Sequence, residues 1–137
     1  MRIMGIDVGE KRIGIALSDP LKIVAGGHSV LERSSLSKDL EHIKQLCSIN
    51  EVELIVIGLP RNMNGSIGPK AIEIQEFAQA LQEYTGVGIA FVDERLSTVA
   101  AERVLLQADM SRSKRKKVID KLAAVNILQN YLDGARQ

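Results

Sequence analysis

Three acidic residues stand in contexts that purely structural acids rarely share. Asp7 closes the apolar run Ile3-Met4-Gly5-Ile6 and is followed at once by Val8-Gly9. Glu94 comes after the apolar run Ile89-Ala90-Phe91-Val92, within Asp93-Glu94-Arg95-Leu96-Ser97-Thr98. Asp120 lies in Val118-Ile119-Asp120-Lys121-Leu122-Ala123-Ala124, a stretch with helical spacing. An acid at the carboxyl end of a buried strand is costly unless something pairs it, and a metal ion is a common reason for several to converge. Open α/β sheets also place their sites at the carboxyl ends of strands. Mg²⁺ and Mn²⁺ are hard cations that take a few carboxylates plus a substrate phosphate. The pattern therefore points to a carboxylate cage for Mg²⁺ or Mn²⁺ and to phosphoryl chemistry. Metal-assisted hydrolysis of that kind needs no protein nucleophile, in keeping with a sequence that offers no Ser/His or Cys/His arrangement.

Each acid also has an ordinary reading when taken alone. An Asp that ends a strand often forms a turn with its own backbone, and Asp7-Val8-Gly9 suits that role as well as a metal site. Gly9 permits a hairpin and leaves room for a phosphate or metal near the backbone. Strand alternation sends Asp93 and Glu94 to opposite faces, so only one of them can join a site; both also precede a helix start, where acids are favoured. Arg95 can hold a phosphate or pair with an acid. Asp120 in isolation reads as an exposed helical Asp paired with Lys116 or Lys117. Ala123 and Ala124, three and four residues on, weigh the other way, because small residues let a helix lie close enough for a short Asp to reach the sheet.

Net charge is only +1, so its distribution says more than its sum. Arg112, Lys114, Arg115, Lys116 and Lys117 fall within six residues, just ahead of Asp120. An arbitrary charge run is a solvated surface loop. Beside a metal site, the same loop becomes a patch for a phosphate backbone.

The elements that must position these residues follow from hydrophobic period and turn chemistry. Arg2 to Val8 reads as a strand, Gly9 to Arg12 as a turn and Ile13 to Leu17 as the returning strand of a hairpin. Gly14 inside that second strand signals close backbone approach. A weaker third strand covers Gly26 to Leu31. Ser37 is the expected cap of a helix with Asp39 and Glu41 in its first turn and Leu40, Ile43 and Leu46 or Cys47 on one face. Leu54 to Gly58 is continuously apolar, as a strand covered on both faces must be. Pro69 opens a helix marked by Ile74, Phe77, Ala78 and Leu81. Gly86 to Val92 is a further buried strand, and Ser97 or Thr98 caps a helix carrying Ala100, Val104 and Leu105 or Leu106. After the basic loop, Val118, Leu122, Val125, Leu128 and Leu132 form the stripe of a final helix. The expected fold is α/β: a mixed five-stranded sheet, made of an antiparallel three-strand meander plus two parallel strands, with helices on both faces.

A length of 137 residues suits one domain, 1–137, against a prior of roughly 150 residues per domain. Hydrophobic residues make up 45% of the chain, enough for a core without disulfides. The single cysteine, Cys47, falls on an apolar helix face and suits a reducing cytoplasm. Aromatics are only 3%, which argues against a stacking platform for single strands. No apolar stretch is long enough to span a bilayer. His28 and His42 lack a partner pattern for metal binding, and Asp19 suits a turn.

Taken together, Asp7-Val8-Gly9-Glu10-Lys11-Arg12-Ile13-Gly14, Gly58-Leu59-Pro60-Arg61-Asn62-Met63-Asn64-Gly65, Asp93-Glu94-Arg95-Leu96-Ser97-Thr98 and Asp120-Lys121-Leu122-Ala123-Ala124 resemble the YqgF family. That family consists of bacterial RNase H-like proteins described as Holliday junction resolvases and as pre-16S rRNA nucleases. The resemblance covers almost the whole chain. It implies an RNase H-like nuclease domain with Asp7, Glu94 and Asp120 as catalytic, metal-binding acids and Mg²⁺ or Mn²⁺ as cofactor. It further implies precursor 16S rRNA as substrate, in ribosome biogenesis, with Arg95 and the 112–117 cations on the phosphates and ribosomal particles as partners. Asn64 departs from the pattern, where the family often carries Asp. Three rivals remain: a junction resolvase, which needs a dimer this sequence does not advertise; a non-catalytic RNA-binding factor; and an ATPase of the actin and sugar-kinase type, for which 137 residues leave no second domain. The expected protein is a cytoplasmic monomer.

Overall fold

The structure, a computed structural model, describes residues 1–60, 65–93 and 112–135, and for 112–117 the backbone alone. The described elements are β1 (Arg2–Val8), β2 (Arg12–Ser18), β3 (Ala25–Glu32), α1 (Leu36–Ile49), β4 (Val52–Leu59), α2 (Pro69–Thr85), β5 (Gly88–Asp93) and α3 (Arg112–Ala135). The five strands form one sheet in the order β3-β2-β1-β4-β5. β1 to β3 is an antiparallel meander, whereas β4 lies parallel to β1 and β5 parallel to β4. This is the mixed sheet that the hydrophobic pattern implies. The helix expected from Ser97 or Thr98 lies outside the described residues.

Strand alternation divides the core between the two faces. Met4, Ile6, Ile13, Ile15, Ile55 and Ile57 point to one face, where α1 adds Leu40, Ile43 and Cys47, and α2 adds Ile74, Phe77 and Leu81. Ile3, Ala16 and Val56 point to the other and meet Ala124, Ile127, Leu128 and Leu132 of α3. The central strands β1 and β4 are therefore covered on both sides, which is why they read as unbroken apolar runs. β5 differs from the buried strand expected. Its residues are half-buried and Phe91 is 43% exposed, because β5 stands last in the sheet order.

Other boundaries also depart from the pattern, each for a local reason. α1 is capped by Ser35, not Ser37: the Ser35 hydroxyl accepts from the Lys38 amide at 3.3 Å. Asp39 lies in the first turn as expected, and there it is only 2% exposed and accepts from the Ser34 amide at 3.1 Å. Gly86 belongs to no strand; at φ 74 it takes the left-handed conformation that ends α2, and its amide reaches the Gln82 carbonyl at 2.9 Å. The most buried stripe of α3 is Ala123, Ala124, Ile127, Leu128 and Leu132, while Leu122 and Val125 are half-buried. The small residues face the sheet because α3 lies unusually close to it.

That closeness rests on glycines. A Cβ on Gly14 of β2 would lie 2.0 Å from the Asp120 carbonyl oxygen. On Gly5 of β1 it would meet Leu128 Cβ at 2.6 Å and the Ala124 carbonyl at 2.8 Å. On Gly27 of β3 it would meet the Lys121 stem at 2.6 Å. Among the described helices, none is long and apolar enough to cross a membrane.

Gly14→Ala is expected to destabilise the protein by at least the roughly 1–3 kcal/mol typical of an overpacked core, because the obstructing atom is backbone and has no rotamer to change. Gly134→Ala, on α3 with nothing within 4 Å of the added carbon, should be neutral or stabilising by about 0.5–1 kcal/mol. Guanidinium unfolding midpoints of the two variants against the parent check the contrast.

Candidate metal and nucleic-acid site

Asp7 is the penultimate residue of β1 and is half-buried. Ile3 and Gly5 of the same strand face α3, so alternation puts Asp7 on that face too. Its register partner across the β1–β2 ladder is Gly14. Gly14 is also the residue over which the main chain of Asp120 sits. One glycine thus brings two acids together: Asp7 beside it in the sheet and Asp120 directly above it. Both acids are engaged in further interactions within the protein.

β1, β4 and β5 run parallel, so their carboxyl ends share one rim of the sheet. β5 ends at Asp93. Ile89 packs with the α1–α2 core and Ala90 and Val92 with the α3 core, so alternation sets Asp93 on the face away from Asp7. Glu94 and Arg95, both expected in the site, lie outside the described residues, as does Asn64. Among the described residues no group of three or more His, Cys, Asp or Glu side chains forms a metal cage; two of the three expected acids are within that set.

The basic segment is not a loop. Arg112, Lys114, Arg115, Lys116 and Lys117 occupy the first turns of α3, one continuous helix through Asp120 to Ala135. Arg and Lys are good helix formers and the segment has no Gly or Pro, so propensity overrides the charge-run signal. Continuity matters for the site. Lys116 and Lys117 stand four and three residues before Asp120, which helical period places on the same side of the rod.

The remaining candidates are structural. Asp19 accepts from the Ile23 and Val24 amides at 2.8 and 2.9 Å, and these bonds, that from Val24 foremost, hold its carboxyl below the usual range. It closes the β2–β3 turn, as its sequence context suggests. His28 is exposed, 2.9 Å from the Ser29 hydroxyl, and His42 is exposed on α1. Burial pushes the Cys47 thiol up to about 11, so it is neutral at physiological pH and no nucleophile.

A residue the sequence pattern did not single out is Arg33. Its guanidinium donates to the Gly9 carbonyl at 2.7 Å and lies 3.8 Å from the carboxylate of buried Asp39. Nothing in local spacing marks a contact between residues 24 apart.

A β3-β2-β1-β4-β5 sheet with helices on both faces, and acids gathered at the carboxyl end of its first strand, defines an RNase H-like fold of the resolvase type. Solved structures share it: Thermus thermophilus RuvC in complex with a Holliday junction substrate matches with a TM-score of 0.60 at 12% identity, over 99% of this chain and 96% of that one. The fowlpox virus Holliday junction resolvase matches with a TM-score of 0.57 at 13% identity, over 98% and 99%. At such identities the likeness is one of fold. The chain belongs to the RuvX family, described as Holliday junction resolvase, whose model matches residues 1–134. A relative from Syntrophomonas wolfei is 63% identical over 98% of this chain and 95% of its own, and one from Carboxydothermus hydrogenoformans is 54% identical over 97% and 96%. Both carry the name "Putative pre-16S rRNA nuclease".

Cys47 should resist alkylation at pH 8 in the folded protein and react in denaturant, since its pKa, pushed up to about 11, leaves almost no thiolate at that pH. Mass spectrometry after iodoacetamide treatment, with and without guanidinium, reads the outcome.

Proposed function

We propose that this protein is a metal-dependent endonuclease of structured nucleic acid, with the 5′ region of precursor 16S rRNA as its substrate. The observation that carries the reading is the placement of Asp120 over Gly14, the register partner of Asp7. Two acids whose main chains meet at Gly14, with β5 ending on the same rim of the sheet, offer hard oxygen donors of the kind that suits Mg²⁺ or Mn²⁺. Asp7, Glu94 and Asp120 are the proposed ligands. A divalent ion held there supplies Lewis acidity towards the scissile phosphate and the attacking water.

The chain's own residues do the rest. Arg95 and the cations of residues 112–117 bind the backbone and set it across the acids. Five cations in the first turns of α3 stand at the positive end of the helix dipole, an arrangement unfavourable in isolation and relieved by a polyanion. The names of the relatives support rRNA as substrate. The family description favours a second reading, cleavage of a four-way DNA junction. Incubating the protein with precursor 16S rRNA and a synthetic junction side by side, with and without Mn²⁺, decides between them: cleavage of the junction alone would overturn the first reading.

Asp7→Asn, Glu94→Gln and Asp120→Asn should each lower cleavage by more than the roughly 10–100-fold that loss of an outer-shell partner costs. Thermal stability without metal should hold or rise, since one of several mutually repelling acids is gone. Ca²⁺ should fail to replace Mg²⁺, because its larger, looser shell misplaces the water. Near-parental cleavage by two of the three variants, or full activity in EDTA, contradicts the assignment.

The triple replacement of Lys114, Arg115 and Lys116 by Ala should weaken binding of unrelated sequences alike. The slope of log affinity against log salt should flatten by about 0.7–0.9 per lost phosphate contact. Turnover at saturating substrate should fall less than affinity, since phosphate contacts position rather than react. Binding isotherms across a salt series test this; parallel lines for parent and variant remove the patch from the site.

A further inference from the structure

We propose that Arg33 is a positioning residue that fixes the hairpin carrying Asp7, with buried Asp39 as the anchor that holds Arg33 in place. The proposal rests on the reading of Asp7 as a metal ligand and adds the means by which the strand end is held still.

The β1–β2 turn is closed by its own backbone through the Gly9 amide to the Arg12 carbonyl at 2.9 Å. Arg12 at its far end is tied to β3, its Nε donating to the Glu32 carboxylate at 3.1 Å, and Arg33 adds two restraints at Gly9 and Lys11. Its amide donates to the Lys11 carbonyl at 2.9 Å, extending the ladder one residue beyond β3. Its guanidinium donates to the Gly9 carbonyl at 2.7 Å, a charge-assisted bond on a group two residues from Asp7. The same guanidinium stands 5.5 Å from the centre of the Phe77 ring of α2, and its Nε lies 3.8 Å from Asp39 Oδ2 on α1.

Asp39 explains why this arm is rigid. Its side chain is only 3% exposed and its other oxygen accepts from the Ser34 amide at 3.1 Å. A carboxylate so withdrawn from water stays charged only with partners, and Arg33 is the cation facing it. A guanidinium offers donors along a planar fork and can serve the carboxylate and the Gly9 carbonyl together; an ammonium cannot span both.

The consequence concerns the site. Asp120 is set from one face of the sheet by α3, and the turn after Asp7 is set from the other face by α1 and α2 through Arg33. The separation of the two acids therefore depends on both layers. Loss of the Arg33 bond frees the turn to move relative to α3 while leaving the sheet ladder intact.

The experiment compares Arg33→Lys and the double variant Arg33→Gln/Asp39→Asn, which removes the buried charge with its partner, against the parent. In metal-free protein, amides of residues 8–12 should exchange hydrogen about tenfold faster or more, while amides of β4 keep parental protection. Mn²⁺ binding, read by calorimetry, should weaken by about tenfold or more, as for an outer-shell support, with the KM for nucleic acid within about twofold. The melting temperature of the double variant should stay near that of the parent. Parental exchange in the turn of both variants overturns the proposal, as does faster exchange that spreads equally through β4, which marks a purely structural pair. Asp7→Asn is measured alongside: if it leaves Mn²⁺ binding intact, the metal reading fails, and the exchange rates alone then decide whether Arg33 fixes the hairpin.

Discussion

The close seating of α3 on the sheet is the constraint from which the rest of the molecule follows. Three strands give up side chains to permit it: Gly5 in β1, Gly14 in β2 and Gly27 in β3. Opposite them, α3 presents Asp120 to Gly14, Ala124 and Leu128 to Gly5, and the Lys121 stem to Gly27. The helix thereby crosses the sheet near enough for main-chain atoms of Asp120 to occupy the space a Gly14 side chain would need. Close packing here fixes the position of the Asp120 main chain as well as contributing stability.

The same seating divides the labour between the two cores. The α1–α2 face is thick, with Ile, Leu, Met and Phe side chains filling the gap. The α3 face is thin, with Ala16, Ala124 and the bare glycines. Thick packing supplies most of the buried apolar area and so most of the hydrophobic stabilisation. Thin packing supplies position. The rim where both faces meet combines a well-anchored scaffold with two acids, Asp7 and Asp120, that are only half-buried.

Charge is distributed along the same logic. Net charge is close to zero, yet α3 carries five cations in the turns that lead to Asp120. A helix spaces these positions along one rod, where a loop would leave their spacing unset. On the opposite face, the buried Asp39 and its partner Arg33 turn a costly internal charge into a fastening for the hairpin.

Much of this was legible in the residues. Apolar runs and turn residues announced the five strands and their mixed sheet, because burial on both faces leaves no polar alternation in β1 and β4. Asp7 and Asp120 stood out because acids beside buried strands and small helical residues need a reason. Hydrophobic period also found α2 and the final helix. What the pattern misplaced had physical causes: Ser35 took the cap from Ser37; Gly86 was needed to end a helix; β5 was exposed by its place in the sheet order; and helix propensity carried the 112–117 cations into α3. Local sequence determines period, propensity and capping options, since these depend on neighbours a few residues away. Only the tertiary structure decided that Gly14 lies between two acids 113 residues apart in number, Asp7 and Asp120, and that Arg33 reaches back to Gly9. Those contacts depend on which faces meet across the sheet, and no spacing along the chain encodes that.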